Sequence, residues 1–187
     1  MKMKIHSITP YSYVNGPGVR TVIHFQGCKF QCPGCFNPET HSLEGGIEMT
    51  LEQVLENILP NIEGVTISGG EPFLQQEALL KLVTILHELS FSVVVFSGFY
   101  RDEIEKLKLG NKILSNIDVL IDGRFEGNQV SSQGLHGSDN QTIHLFTDRY
   151  KLEDFEQREV ELSFELDGGT RITGFPTKEL LHAIKEN

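Results

Sequence analysis

The chemistry most legible in this 187-residue chain sits on Cys28, Cys32 and Cys35, which fall within eight residues and are its only cysteines. Spaced Cys-x-x-x-Cys-x-x-Cys on one short loop, three thiolates can wrap one corner of a cubane iron-sulfur cluster. An electron-transfer ferredoxin centre wants a fourth cysteine, and the chain has none to give. A [4Fe-4S] cluster held this way keeps one iron open to a non-protein ligand, as a catalytic zinc keeps one position open. The alternative is a Cys3His zinc site completed by His24 or His41. His41 sits in a suitable loop, whereas His24 lies inside a strand pattern and reads equally as a face residue. A disulfide would leave one thiol over and staple almost nothing, so free thiols in a reducing compartment are expected.

Two small polar turns add to the cysteine loop. Ser68-Gly69-Gly70-Glu71-Pro72 offers backbone groups without side-chain obstruction and a carboxylate beside them, which suits a bound ammonium. Its other reading is a plain strand-to-helix loop with proline in the first helical turn. Ser97-Gly98 is a second such pair. Each is weak alone; in this order, at the ends of successive strands, they become specific.

The elements that must position these residues follow from periodicity. Residues 20–26 read as a strand between the turn Asn15-Gly16-Pro17-Gly18 and Gly27. Thr50 opens a helix through a Thr-x-x-Gln capping box with Gln53, and apolar residues recur at helical spacing to Leu59. Strands at 64–68, 91–96, 117–121 and 141–146 are predicted, with helices over 79–86 and near 102–109. This alternation predicts an α/β fold with the loops of interest at one end of a parallel sheet: a partial, open TIM-like β/α barrel over residues 1–146. Residues 147–187 are expected to add a hairpin (160–166 with 170–173) and a helix over 177–184, an extension too small to bury its own core.

Composition bounds the partners. Lys plus Arg number 16 against 26 Asp plus Glu, a formal charge of −10, so a nucleic-acid backbone is repelled on average. The N-terminal residues carry two lysines with no continuous apolar stretch behind them, so neither a secretory signal nor a membrane span is expected, and the expected location is cytoplasmic.

Taken together, the Cys-x-x-x-Cys-x-x-Cys loop after one strand and the Gly-Gly-Glu-Pro turn after the next resemble the radical S-adenosylmethionine superfamily. The stretch Asn15-Gly16-Pro17-Gly18-Val19-Arg20 is similar to that of its glycyl-radical-enzyme activating proteins. Cys32-Pro33-Gly34-Cys35-Phe36-Asn37, Ser97-Gly98-Phe99, Asp122-Gly123-Arg124-Phe125 and Gly137-Ser138-Asp139-Asn140-Gln141 narrow the likeness to activators of anaerobic ribonucleotide reductase. Gly34 replaces the aromatic residue many superfamily members carry there, and the residues after Thr147 are extra.

The resemblance implies a [4Fe-4S] cluster on Cys28, Cys32 and Cys35 whose open iron chelates S-adenosylmethionine. Gly69, Gly70 and Glu71 would contact the methionyl end, Gly34 and Phe36 the adenine side, with Ser97 and Asp122 as further contacts. Asp122 reads equally as a strand-end residue capping a turn with Gly123. An external low-potential electron donor would reduce the cluster, and cleavage would give a 5′-deoxyadenosyl radical that takes hydrogen from a glycine Cα of the partner, the large subunit of anaerobic ribonucleotide reductase. No general acid or base is needed, because the cofactor carries the hard chemistry. The competing readings are the same fold acting on another glycyl-radical enzyme, a peptide or a small molecule, and a non-catalytic zinc or iron-sulfur module.

Overall fold

The computed structural model describes residues 2–164, 170–176 and 180. In chain order they form β1 (Lys2–Ser12), β2 (Arg20–Phe25), β3 (Ile47–Thr50), α1 (Leu51–Leu55), β4 (Gly64–Gly69), α2 (Gln76–Glu88), β5 (Ser92–Ser97), α3 (Arg101–Ile104), α4 (Gly110–Leu114), β6 (Val119–Asp122), β7 (Thr142–Leu145), β8 (Val160–Phe164) and β9 (Thr170–Gly174). Seven strands make one mixed sheet in the order β3-β1-β2-β4-β5-β6-β7, and β8 pairs with β9 apart from it.

The centre of the sheet is what the sequence predicts. β2, β4, β5 and β6 are parallel neighbours in register, so their C-terminal ends lie side by side. β5 is apolar on both faces because both faces are covered. On one side Val93 and Val95 join Phe25, Ile67 and Leu120 under Leu79, Leu82, Val83 and Leu86 of α2. On the other, Val94, Val119 and Ile121 pack with Leu135 and Phe155, and Tyr150 and Phe175 lie against them.

The flanks depart from a strand–helix repeat: β1, β3 and β7 run antiparallel to their neighbours. Buried Met3 and Ile5 alternate with Lys2 and Lys4, the pattern of a strand buried on one face, in a stretch where no strand is predicted from sequence. The Thr50–Gln53 capping box forms, and turn bonds extend α1 to Ile58. The helix expected near 102–109 forms as the short α3, and α4, which follows it at 110–114, is not predicted by the sequence. The hairpin forms between β8 and β9, while its turn at 167–169 and most of the helix expected over 177–184 lie outside the described residues. Among the described residues no helix is long and apolar enough to cross a membrane.

The opposite end of the parallel strands is tied by Arg20, fully buried at the start of β2. Its guanidinium donates to Thr66 Oγ1 (2.8 Å), Val65 O (3.0 Å), Ser92 Oγ (2.9 Å), Ser92 O (3.1 Å) and Pro17 O (3.1 Å). A Cβ on Gly16, at φ +136°, would stand 2.8 Å from Arg20 Cδ, which explains a glycine there. Replacing Arg20 with Met is expected to strand these acceptors and cost about 3 kcal/mol or more. Urea unfolding checks this, with a lower midpoint at an unchanged m-value.

Candidate functional site

The cysteine loop leaves the C-terminal end of β2 and is held by its own backbone. Gly27 N–H donates to Thr40 O (2.8 Å) and Cys28 N–H to His41 O (3.1 Å). The chain then turns through two left-handed residues, Gln31 at φ +48° and Gly34 at φ +76°. That backbone explains glycine rather than an aromatic residue before Cys35. All three thiols are free, Cys28 buried and Cys32 and Cys35 half-buried. Burial pushes the Cys28 and Cys35 thiols up, while amides of Phe30 and Gln31 on Cys28, and of Asn37 on Cys35 (3.4 Å), pull the other way. Amide donors aimed at sulfur are the environment that tunes thiolate-bound iron.

The next strand end lies directly on this loop. Gly70 N–H donates to Phe25 O and Glu71 N–H to Gly27 O, both at 2.8 Å. A Cβ on Gly70 would stand 2.4 Å from Gly27 O, and one on Gly69, at φ +105°, 2.5 Å from Phe25 N. The glycines are therefore required by backbone contact with the cysteine strand. The Gln75 side chain completes the junction, accepting from Lys4 N–H (2.8 Å) and donating to Lys4 O (2.9 Å) and Gln26 O (3.1 Å).

Glu71 and Ser97 work behind this surface. The Glu71 carboxylate, with no exposed area, accepts from Phe73 N–H (2.9 Å), Ser97 Oγ–H (3.0 Å) and Gly98 N–H (2.7 Å). Ser97 Oγ in turn accepts from Phe99 N–H (3.0 Å). The carboxylate thus bolts the end of β4 to the end of β5. Burial pushes it up to about 7 against the pull of its donors.

A third contact steadies the loop from the side. Phe30 lies edge-on to Phe99 at 4.8 Å and under the Arg124 guanidinium at 4.5 Å. Arg124 is also 5.2 Å from the Tyr100 ring and forked onto Glu103 at 2.5 and 3.0 Å. Arg124 was visible in sequence only as part of a motif; its stacking role carries no local signal.

Cys28, Cys32, Cys35, Phe36, Gly69, Gly70, Glu71, Ser97 and Gly98 all line one cavity of about 480 Å³. Gly34 and Asp122 are not among its lining residues. Asp122, at the end of β6, instead accepts from Arg101 N–H (2.5 Å) at the start of α3 and approaches His144 Nε2 at 3.2 Å, a strand-end cap. His24 and His41 line the same cavity, yet among the described residues no three His, Cys, Asp or Glu side chains converge as one metal ion requires. Thiols around a cluster bind different irons and need not converge on a point, so the donor set and its amides fit a cluster. Sequence reasoning missed Asn15, Thr173 and Phe175, which also line the cavity and come from distant segments.

The family described as "4Fe-4S single cluster domain" matches residues 14–144. The chain is 32% identical over 154 residues to the anaerobic ribonucleoside-triphosphate reductase-activating protein of Enterobacteria phage T4, covering 78% of this chain and 96% of that one. The protein of the same name from Escherichia coli (strain K12) is 31% identical over 153 residues, covering 76% and 98%. The pyruvate formate-lyase-activating enzyme of Clostridium pasteurianum is 35% identical over 146 residues, covering 73% of this chain and 60% of that one. Among solved structures, QueE from Escherichia coli aligns with 52% of the chain and 53% of its own, at a TM-score of 0.42 and 23% identity.

A Cβ on Gly98 would stand 2.6 Å from Phe30 Cδ2. Gly98→Ala is therefore expected to displace the cysteine loop and lower iron bound per chain after reconstitution, with far-ultraviolet circular dichroism unchanged. Glu71 gives a pH test on the iron-free chain. Its folded value, about 7, lies above the unfolded carboxyl value near 4.5, so the folded state binds the proton more tightly. The Glu71 contribution is then fully present below about pH 4.5 and lost as pH rises to about 7. Urea titrations across that window are expected to show this loss in the parent and not in Glu71→Gln.

Proposed function

The chain belongs to the radical S-adenosylmethionine activating proteins within the 4Fe-4S single-cluster family, and on that premise we propose that it installs a glycyl radical on the large subunit of anaerobic ribonucleoside-triphosphate reductase. The observation that carries the reading is one cavity that brings the chain's three cysteines against the Gly69-Gly70 turn, with no fourth cysteine anywhere in the sequence.

In this reading Cys28, Cys32 and Cys35 hold the [4Fe-4S] cluster and leave one iron to S-adenosylmethionine. When bound, the cluster and S-adenosylmethionine supply a one-electron cleavage whose carbon radical abstracts hydrogen. The rest is the chain's own work. Phe36 and the backbone of Gly69 and Gly70 face the ligand directly. Glu71 and Ser97 act through the turns they hold, and Asp122 acts further off, through the start of α3. Phe30, Phe36, Phe96, Phe125 and Phe175 in the cavity wall limit the water beside the reacting groups, and no side chain has to move a proton. A low-potential donor supplies the electron.

The parallel core reads as part of an open barrel whose unclosed side admits a polypeptide loop. Free thiols suit a reducing cytoplasm. The 35% identity to the pyruvate formate-lyase-activating enzyme favours a second reading, in which another glycyl-radical enzyme is the partner.

Anaerobic reconstitution, reduction and addition of S-adenosylmethionine are expected to yield 5′-deoxyadenosine, and a glycyl radical signal by paramagnetic resonance when the reductase is added. Cys32→Ala should yield neither. Nucleoside without a radical on the reductase would move the assignment to another partner.

A further inference from the structure

One wall of the cavity belongs neither to the parallel strands nor to the cysteine loop. Residues 172–176, at the end of β9 and just after it, line the cavity together with the cysteines. They stand beyond residue 144, where the family match ends. The phage relative is matched over 96% of its length by only 78% of this chain.

The attachment of this segment is specific but slight. Asn15 Nδ2 donates to Thr173 Oγ1 at 2.7 Å, and Phe175 N–H to Glu159 O at 3.1 Å. The Phe175 ring meets Phe36, next to Cys35, edge-on at 5.9 Å and lies 6.4 Å from Phe96. Its other side is capped by the Arg158 guanidinium at 4.6 Å, which is fixed by a bond to His136 O (2.9 Å). Among the described residues β8 and β9 pair with each other and with no strand of the main sheet, and Tyr13 N–H donates to Glu161 of β8 at 3.3 Å. A two-stranded hairpin is marginal by itself, so contacts of this kind decide whether the segment stays down. Leu162 and Phe164 on β8 are 42% and 80% exposed, an apolar edge on the outside of the same hairpin.

Space sets the requirement. A cavity of about 480 Å³ is within the roughly 300–1,000 Å³ of small-ligand sites, and in the reading above it must hold both the cluster and S-adenosylmethionine. Little of that volume is then left for a polypeptide loop as well. We propose that residues 172–176, with Phe175 as the plug, are a strap that covers the site in the free protein and is displaced when the partner's glycine-bearing loop enters. The proposal rests on the activating function above. The closed state raises the partner concentration needed in inverse proportion to the fraction of time the strap is open. On this proposal the strap bars the partner's loop and leaves binding of S-adenosylmethionine unaffected.

Two variants of the full, cluster-loaded chain loosen the strap: Phe175→Ala removes the plug, and Arg158→Gln removes the group that clamps it while leaving every cavity-lining residue in place. Hydrogen exchange is expected to show the Phe175 amide exchanging well before the amides of β4 and β5, and faster still in both variants. Exchange of the strap only together with the core would overturn the proposal. With the reductase as partner, the half-saturating concentration is expected to fall ~3-fold or more in both variants, with affinity for S-adenosylmethionine within ~2-fold of the parent in Arg158→Gln, which leaves the cavity lining intact. An unchanged half-saturation, or S-adenosylmethionine affinity lost in step, would make the segment a fixed wall and overturn the gate. If the parent makes 5′-deoxyadenosine but no radical on the reductase, the partner assignment fails instead, and hydrogen exchange still decides whether the strap opens.

Discussion

The contact on which the site depends is backbone against backbone. The Gly69-Gly70 turn rests on residues 25–27 so closely that no side chain fits between, and two amide bonds of 2.8 Å lock the approach. That contact places the turn after β4 beside the first cysteine. The buried Glu71 carboxylate extends the same constraint to the end of β5, where Gly98 makes room for Phe30 of the cysteine loop. Three strand ends and one loop thereby become a single rigid rim. A buried carboxylate surrounded by donors is costly to leave unmet and well satisfied here. In this structure it joins the end of β4 to the end of β5.

Arg20 performs the complementary task at the far end of the strands. It reaches from β2 to β4 and β5 with donors that meet carbonyl and hydroxyl oxygens at the strand starts. The parallel core is thus tied at both ends, by a cation at one and by a carboxylate at the other, while apolar side chains fill the two faces between. Such a scaffold suits a reaction whose difficult chemistry belongs to bound groups and whose protein must orient them and keep water out.

How much of this was legible in sequence follows from the range of each interaction. The strand and helix pattern of the core, the Thr50–Gln53 cap and the cysteine loop are written in local spacing, and they hold in the structure. β1 escaped because its buried Met3 and Ile5 are interleaved with lysines at the start of the chain, and β3 because it is an edge strand of only four residues. Glu71 and Ser97 line the cavity as their place at the strand ends suggests, but the hydrogen bonds that join the ends of β4 and β5 through them have no local sequence signal. The left-handed backbone of Gly34 and the bond from Arg101 N–H to Asp122 at the start of α3 are likewise visible only in the structure. Phe175 and Thr173 were beyond reach, since their place at the cavity depends on contacts with residues some 140 to 160 positions away, such as Asn15 and Phe36.

The central claim is that three cysteines hold a four-iron cluster with one iron reserved for S-adenosylmethionine. Mössbauer spectroscopy of the reconstituted, iron-57-labelled protein tests it most directly. The account predicts four irons per chain, one of them distinct and shifting its parameters when S-adenosylmethionine is added. A spectrum of four irons indifferent to S-adenosylmethionine, or a protein that takes up a single zinc in place of iron, would contradict it.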